Sequence, residues 1–132
     1  MSEPRRQSRS SVRSGVPSVG GAKRGHARVG VVDVGSNSVR LVVYEALSRS
    51  PAYFFNEKVL CGLGADLAST GRLSVEGRAR ALLALRRFAA LARSMDIDVL
   101  DGVATAAVRE ASDGQEFVEE VERETGLRLR VA

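Results

Sequence analysis

At 132 residues and 14.1 kDa, with 44% hydrophobic and 27% charged residues, the chain has room for one soluble domain with a modest core, not two. Its single cysteine, Cys61, and single histidine, His26, exclude an intramolecular disulfide, a structural zinc site and Ser-His-Asp or Cys-His catalysis in the folded part. The formal charge of +4 comes from residues 1–27, where six basic residues against the one acid Glu3 give a net of +5, leaving about −1 from Arg28 onward.

Residues 1–27, MSEPRRQSRSSVRSGVPSVGGAKRGHA, are rich in Ser, Arg, Gly and Pro and offer almost nothing to bury, which predicts a disordered basic tail. The tail lacks the apolar core of a secretory signal. Its Arg and Ser content loosely resembles an organellar transit peptide, without the amphipathic helix pattern that such a peptide carries. A tail of this charge holds polyanions weakly and without sequence preference, so no specific nucleic-acid partner is expected, and solubilising the chain is its plainest role. No stretch approaches transmembrane length, so no membrane is expected, and a lone cysteine fits a reducing cytoplasm.

From Arg28 the pattern changes. Val29 to Val34 is a near-continuous apolar run of buried-strand type, Val39 to Ala46 a second strand and Ala52 to Cys61 a third. The short links GSNS and LSRSP predict antiparallel neighbours. A glycine-rich loop, GLGADLASTGRL, follows, and Ser74 reads as an N-cap with Glu76 in the first turn. The helix behind it runs to Met95, with Leu82, Leu85, Phe88, Ala89, Ala92 and Met95 on one face. Its arginines, Arg78, Arg80, Arg86, Arg87 and Arg93, lie mostly off that face and are expected in solvent.

Val99 to Ala104 is a fourth strand. Asp113 and Glu116 have capping-box spacing and open a helix through about Thr125, with Phe117, Val118 and Val121 on its inner side. Gly126 stands where a terminating glycine belongs, and Leu127 to Val131 begins a fifth strand. Strands four and five, each preceded by a helix, should run parallel to strand one through right-handed crossovers. The expected fold class is α/β: a five-stranded mixed sheet with flanking helices, the layout of a ribonuclease-H-like half-domain.

Three stretches carry candidate chemistry. In DVGSNS, Asp33 ends the first strand, Gly35 permits a tight turn, and Ser36, Asn37 and Ser38 add side-chain donors to successive backbone N–H groups. This suits a phosphate cradle, in which Asp33 would require a magnesium-like ion between carboxylate and phosphate. An ordinary hairpin turn accounts for the same residues. In DGVATAAVREASD, the loop after strand four should open on the same rim as the turn after strand one. Arg109 there either offers its fork of donors to the same phosphate or merely pairs with Glu110 or Asp113. The loop GLGADLASTG either lines a substrate channel or only turns the chain into its helix. Neither a GxxxxGK[ST] nor a GxGxxG pattern occurs.

Taken together, VDVGSNSVRLVV, LGADLASTGRLS and VATAAVREASDGQEFVEEVERETGL resemble the exopolyphosphatase and guanosine pentaphosphate phosphohydrolase (Ppx/GppA) family, within the actin/Hsp70/sugar-kinase superfold. The resemblance runs from Val29 to the C-terminus. It implies hydrolysis of a phosphoanhydride bond with Mg2+, releasing terminal phosphate from polyphosphate or the 5′ γ-phosphate from guanosine pentaphosphate. By the family pattern Asp33 belongs to the metal site, Gly35, Ser36, Asn37 and Ser38 form the first phosphate loop, and Arg109 meets the substrate phosphate. The family's catalytic glutamate, in a Ser-Gly-x-Glu-Glu-Ala motif, is expected just beyond Ala132, and the second phosphate loop and half-domain also lie further on. The resemblance thus implies the amino-terminal part of an enzyme, inactive alone, whose full-length form pairs as a homodimer. Glu110, within the Arg109 motif, and Glu119, Glu120, Glu122 and Glu124, on a helix face read as exposed, do not stand in for the missing base. A non-catalytic polyphosphate- or alarmone-binding module, or a sugar- or acetate-kinase-like ATP-binding half-domain, are the alternatives.

Overall fold

A computed structural model of the chain describes residues 27–45 and 53–132. The predicted tail therefore lies outside the described residues except for Ala27, which is buried, and so do the LSRSP link and its flanking alanines. The elements are β1 (Arg28–Val34), β2 (Ser38–Glu45), β3 (Tyr53–Leu60), α1 (Leu67–Thr70), α2 (Val75–Ser94), β4 (Val99–Ala104), α3 (Ala106–Glu110), α4 (Gly114–Thr125) and β5 (Leu129–Val131).

The five strands form one sheet in the order β3-β2-β1-β4-β5. β1 pairs antiparallel with β2, which pairs antiparallel with β3, while β4 runs parallel to both β1 and β5. This is the mixed ribonuclease-H-like sheet expected from the element order. Alternation sets its two faces. Val32, Val34, Val39, Leu41 and Val43 point to one side, fully buried in a core shared with Leu85, Phe88, Phe117 and Val121 of α2 and α4. Val31, Asp33, Arg40, Val42 and Val103 lie on the other face, where Asp33 is exposed and the rest are half-buried.

α2 forms where the apolar spacing puts it. Ser74 caps it, its Oγ accepting the Gly77 N–H at 3.0 Å. Leu82, Leu85, Phe88, Ala89 and Ala92 are buried along its inner stripe. α4 ends at Gly126, in the left-handed conformation at φ 83°, which spares the chain a Cβ penalty.

Four local expectations need correction. Leu67–Thr70 and Ala106–Glu110 are short helices rather than plain loop; at four and five residues they are too brief to show a period. Asp113 stands at the start of α4 but makes no capping bond there, because its carboxylate turns inward to other partners. Arg78 is not a solvated arginine. It is half-buried between α2 and α4, donating to Glu120 at 2.9 Å, to Asp113 at 3.1 Å and to Glu116 at 3.4 Å, with its guanidinium over the Phe117 ring. Glu120 is half-buried with it rather than on an exposed face.

Candidate functional site

The DVGSNS stretch is a hairpin turn. Val34 pairs with Val39, and the Gly35 N–H donates to the Ser38 carbonyl at 2.9 Å. The hairpin leaves donors over. The Ser36 carbonyl accepts the Gly64 N–H at 3.0 Å, and the Asn37 carbonyl accepts those of Cys61 and Gly62 at 2.8 and 3.0 Å. Because C=O and N–H point to opposite sides of a trans peptide plane, the N–H groups of Asn37 and Ser38 face away from the 61–64 segment. The N–H groups of Ser36 and Asn37 find no hydrogen-bond partner among the described residues, and the side chains of both residues are exposed. A hairpin so tethered is at once a turn and an array of free donors.

Asp33 precedes this turn. It lies opposite Arg40 in the β1–β2 register, yet the Arg40 guanidinium donates to Asn56 at 2.9 Å, leaving the Asp33 carboxylate exposed and unpartnered among the described residues.

The three motif stretches meet beside the turn. Thr105 donates both its N–H, at 3.0 Å, and its hydroxyl, at 3.3 Å, to the Val34 carbonyl, so α3 starts against the end of β1. Gly64 fits between the other two stretches: a Cβ there would lie 3.3 Å from that of Ser36 and 3.4 Å from that of Ala107. The glycine is therefore in contact distance of both the turn and α3. The loop after strand four does open on the rim of the first turn.

Arg109 sits further along α3 and is exposed. Its guanidinium donates to the Ala132 carbonyl at 2.9 Å and reaches Glu110 at 3.4 Å. Of the two pairings open to it from sequence, that with Glu110 forms and that with Asp113 does not, because Asp113 is held by Leu73, Arg78 and Arg72. No hydrogen bond joins Arg109 to the turn.

Asp113, a capping residue by its spacing, is held instead by partners outside α4. Asp113 is buried and accepts the Leu73 N–H at 2.9 Å with Oδ1, while Oδ2 faces Arg78 at 3.1 Å and Arg72 at 3.6 Å. Burial pushes its carboxyl up, but the Leu73 and Asp113 backbone N–H groups, Arg72 and Arg78 together outweigh it and hold the group below the usual range. Cys61 is buried, and desolvation raises its thiol above the ordinary value.

Among the described residues no group of three or more His, Cys, Asp or Glu side chains could hold a metal ion. Asp33 alone fits magnesium in the manner of an ion bound by one carboxylate, substrate phosphate and water.

Residues 28–132 match the Ppx/GppA phosphatase family. The chain belongs to that family. Exopolyphosphatase 1 of Mycobacterium tuberculosis is 33% identical over 104 residues, covering 78% of this chain and 30% of the relative. The Mycobacterium leprae protein is 33% identical over 105 residues, covering 79% and 31%. Among solved structures, the Ppx/GppA family member of Aquifex aeolicus superposes with a TM-score of 0.78 at 30% identity, over 81% of this chain and 35% of that one. An exopolyphosphatase from Cytophaga hutchinsonii gives 0.74 at 28%, over 79% and 33%. The chain thus spans about a third of the length of these Ppx/GppA relatives. Among the described residues no helix is long and apolar enough to cross a membrane.

Proposed function

We propose that this chain supplies the amino-terminal half of a phosphoanhydride-hydrolase site acting on polyphosphate or on the 5′ γ-phosphate of guanosine pentaphosphate, and that the 132 residues bind such a phosphate without hydrolysing it. The observation that carries the reading is the turn itself: unpartnered N–H groups at Ser36 and Asn37, beside an unpartnered carboxylate at Asp33. In this reading Gly35, Ser36, Asn37 and Ser38 cradle the phosphate oxygens. Asp33 holds Mg2+ through water, and the ion supplies charge neutralisation between carboxylate and phosphate. Arg109, an exposed side chain, turns from Glu110 and the Ala132 carbonyl to the bound phosphate. In this reading the water-activating base lies outside this chain; of the α4 carboxylates, Glu119 accepts from Gln115, Glu120 from Arg78 of α2, Glu122 from Arg128 and Glu124 from Arg86 of α2. The whole enzyme would be a cytoplasmic homodimer with no membrane or specific nucleic-acid partner.

The test is phosphate release from long-chain polyphosphate with magnesium, together with calorimetric titration of inorganic tripolyphosphate. Expected is no release, but magnesium-dependent binding that Asp33→Ala and Arg109→Ala each weaken about tenfold, equal to about 1.4 kcal/mol. Release abolished by Asp33→Ala would mean a complete site and overturn the half-site account. The basic tail favours a second reading, nonspecific polyanion capture. Under it, affinity survives both substitutions, depends on residues 1–27 and collapses steeply with salt.

A further inference from the structure

We propose that Asp113 is a positioning residue for the phosphate site, fixing the far end of the 61–73 loop so that its near end stays against the 35–38 turn. The inference rests on the phosphate reading of that turn. At the near end, the loop donates the N–H groups of Cys61, Gly62 and Gly64 to the turn carbonyls. Those bonds aim the carbonyls of Ser36 and Asn37 inward, and hence direct the opposite N–H groups of the same peptide planes outward.

Between Gly64 and Leu73 one side chain, Leu67 of α1, is half-buried against the core, while the other residues of 65–72 are exposed. A loop of this kind opens readily unless its ends are tied. At the far end, the Ser74 N–H donates back to the Leu63 carbonyl at 2.9 Å. Two further bonds come from the turn between α3 and α4. The Ser112 N–H donates to the Gly71 carbonyl at 2.9 Å, and Asp113 Oδ1 accepts the Leu73 N–H at 2.9 Å.

Asp113 differs from the other ties in reaching a third element. Its Oδ2 pairs with Arg78 of α2, which also grips Glu120 of α4. One buried carboxylate therefore joins the loop, α2 and the start of α4, the helix that follows the Arg109 segment. The charged groups that face it are Arg72 from the loop and Arg78 from α2, with Glu116 sharing Arg78. Removing the carboxylate leaves the Leu73 N–H buried without an acceptor, the costly side of breaking a hydrogen bond.

The experiment compares the full chain with its Asp113→Asn and Asp113→Ala variants. Asparagine keeps a carbonyl acceptor for Leu73 and loses the charge; alanine loses both. Amide hydrogen exchange reads the tether directly, and titration with inorganic tripolyphosphate and magnesium reads the site. Expected in Asp113→Ala is Leu73 exchange accelerated about tenfold or more, tripolyphosphate affinity lowered about tenfold, and β1 amides still slow; Asp113→Asn keeps both loop readouts within about threefold of the parent. Rescue by asparagine is what a general packing role would not produce.

The proposal is overturned if Leu73 stays protected in Asp113→Ala, if affinity is unchanged while Leu73 is exposed, or if the two variants lose binding equally with exchange raised throughout β1. A spectroscopic signature covers the case in which Asp113→Ala does not fold. The Leu73 amide proton shift should move as the carboxyl protonates in the parent chain and stay still in Asp113→Asn; a shift that ignores acid in both sinks the tether. A parent chain that binds no tripolyphosphate overturns the phosphate reading, while exchange at Leu73 still decides the tether.

Discussion

A Cβ at Gly114 would stand 1.9 Å from the carbonyl oxygen of Val108 and 2.9 Å from its carbonyl carbon. The obstacle is backbone, which cannot rotate aside as a side chain can. α3 and α4 therefore approach to a distance that only glycine permits. Alanine is the better helix former by up to about 1 kcal/mol. Overpacking against a fixed carbonyl costs more, about 3 kcal/mol, so the clash decides. Gly114→Ala should lower the unfolding free energy measured in urea by about that amount or fail to fold, and an unchanged midpoint would show that the two helices can separate freely.

Acid should weaken the fold through Asp113. Its carboxyl is held below the usual range, against the upward push of burial, by the Leu73 and Asp113 backbone N–H groups, Arg72 and Arg78. A carboxylate depressed in this way contributes its full stabilisation above its unfolded value of about 3.9, and the contribution is lost as pH falls through the lower native value. Urea unfolding from pH 7 to pH 3 should show stability falling at the acid end. In Asp113→Asn, stability is lower at pH 7 and the acid slope is shallower, since one carboxylate no longer titrates. Parallel curves for parent and variant would contradict the assignment.

Much of this fold was legible because its signals are local. β4 runs from Val99 to Ala104, and Ser74 and Gly126 bound their helices, since apolar runs, caps and left-handed glycines act over a few residues. Asp113 was misread for the opposite reason. Its spacing to Glu116 favours a capping box, but its actual partner Leu73 is 40 residues away, and no local pattern reveals that. The candidate turn was half legible. Sequence offered a hairpin or a donor array, and tethering by Gly62 and Gly64 lets one segment be both. Arg109 was visible as a motif residue, whereas its hold on the Ala132 carbonyl depends on where β5 leaves the sheet.

Ser74 offers a test of local stability at the start of α2. Its hydroxyl accepts the Gly77 N–H at 3.0 Å in a buried position, so water cannot replace it readily. Ser74→Ala should cost about 1 kcal/mol by urea denaturation, and Ser74→Asp should recover most of it, since carboxylates also cap and favour a helix N-terminus. A neutral alanine would mean that the first turn of α2 is held by packing alone.

Gly64 separates the stability of the loop from its work at the turn. A Cβ there meets those of Ser36 and Ala107 at 3.3 and 3.4 Å, so alanine asks the neighbours to give by only a few tenths of an ångström. Valine asks for far more. Its branches would push the loop off the turn and strain the Gly64 N–H bond to the Ser36 carbonyl, the bond that orients the Asn37 N–H outward. The loop's outer segment is exposed, so displacing it should cost only about 1–2 kcal/mol of stability. The effect on magnesium-dependent tripolyphosphate binding should be larger in proportion: a loss of about tenfold or more for Gly64→Val and at most about threefold for Gly64→Ala. Paired urea and calorimetric titrations decide it. Affinity that survives Gly64→Val would show that the turn keeps its donors aimed without the loop, and the phosphate site would then reduce to the hairpin alone.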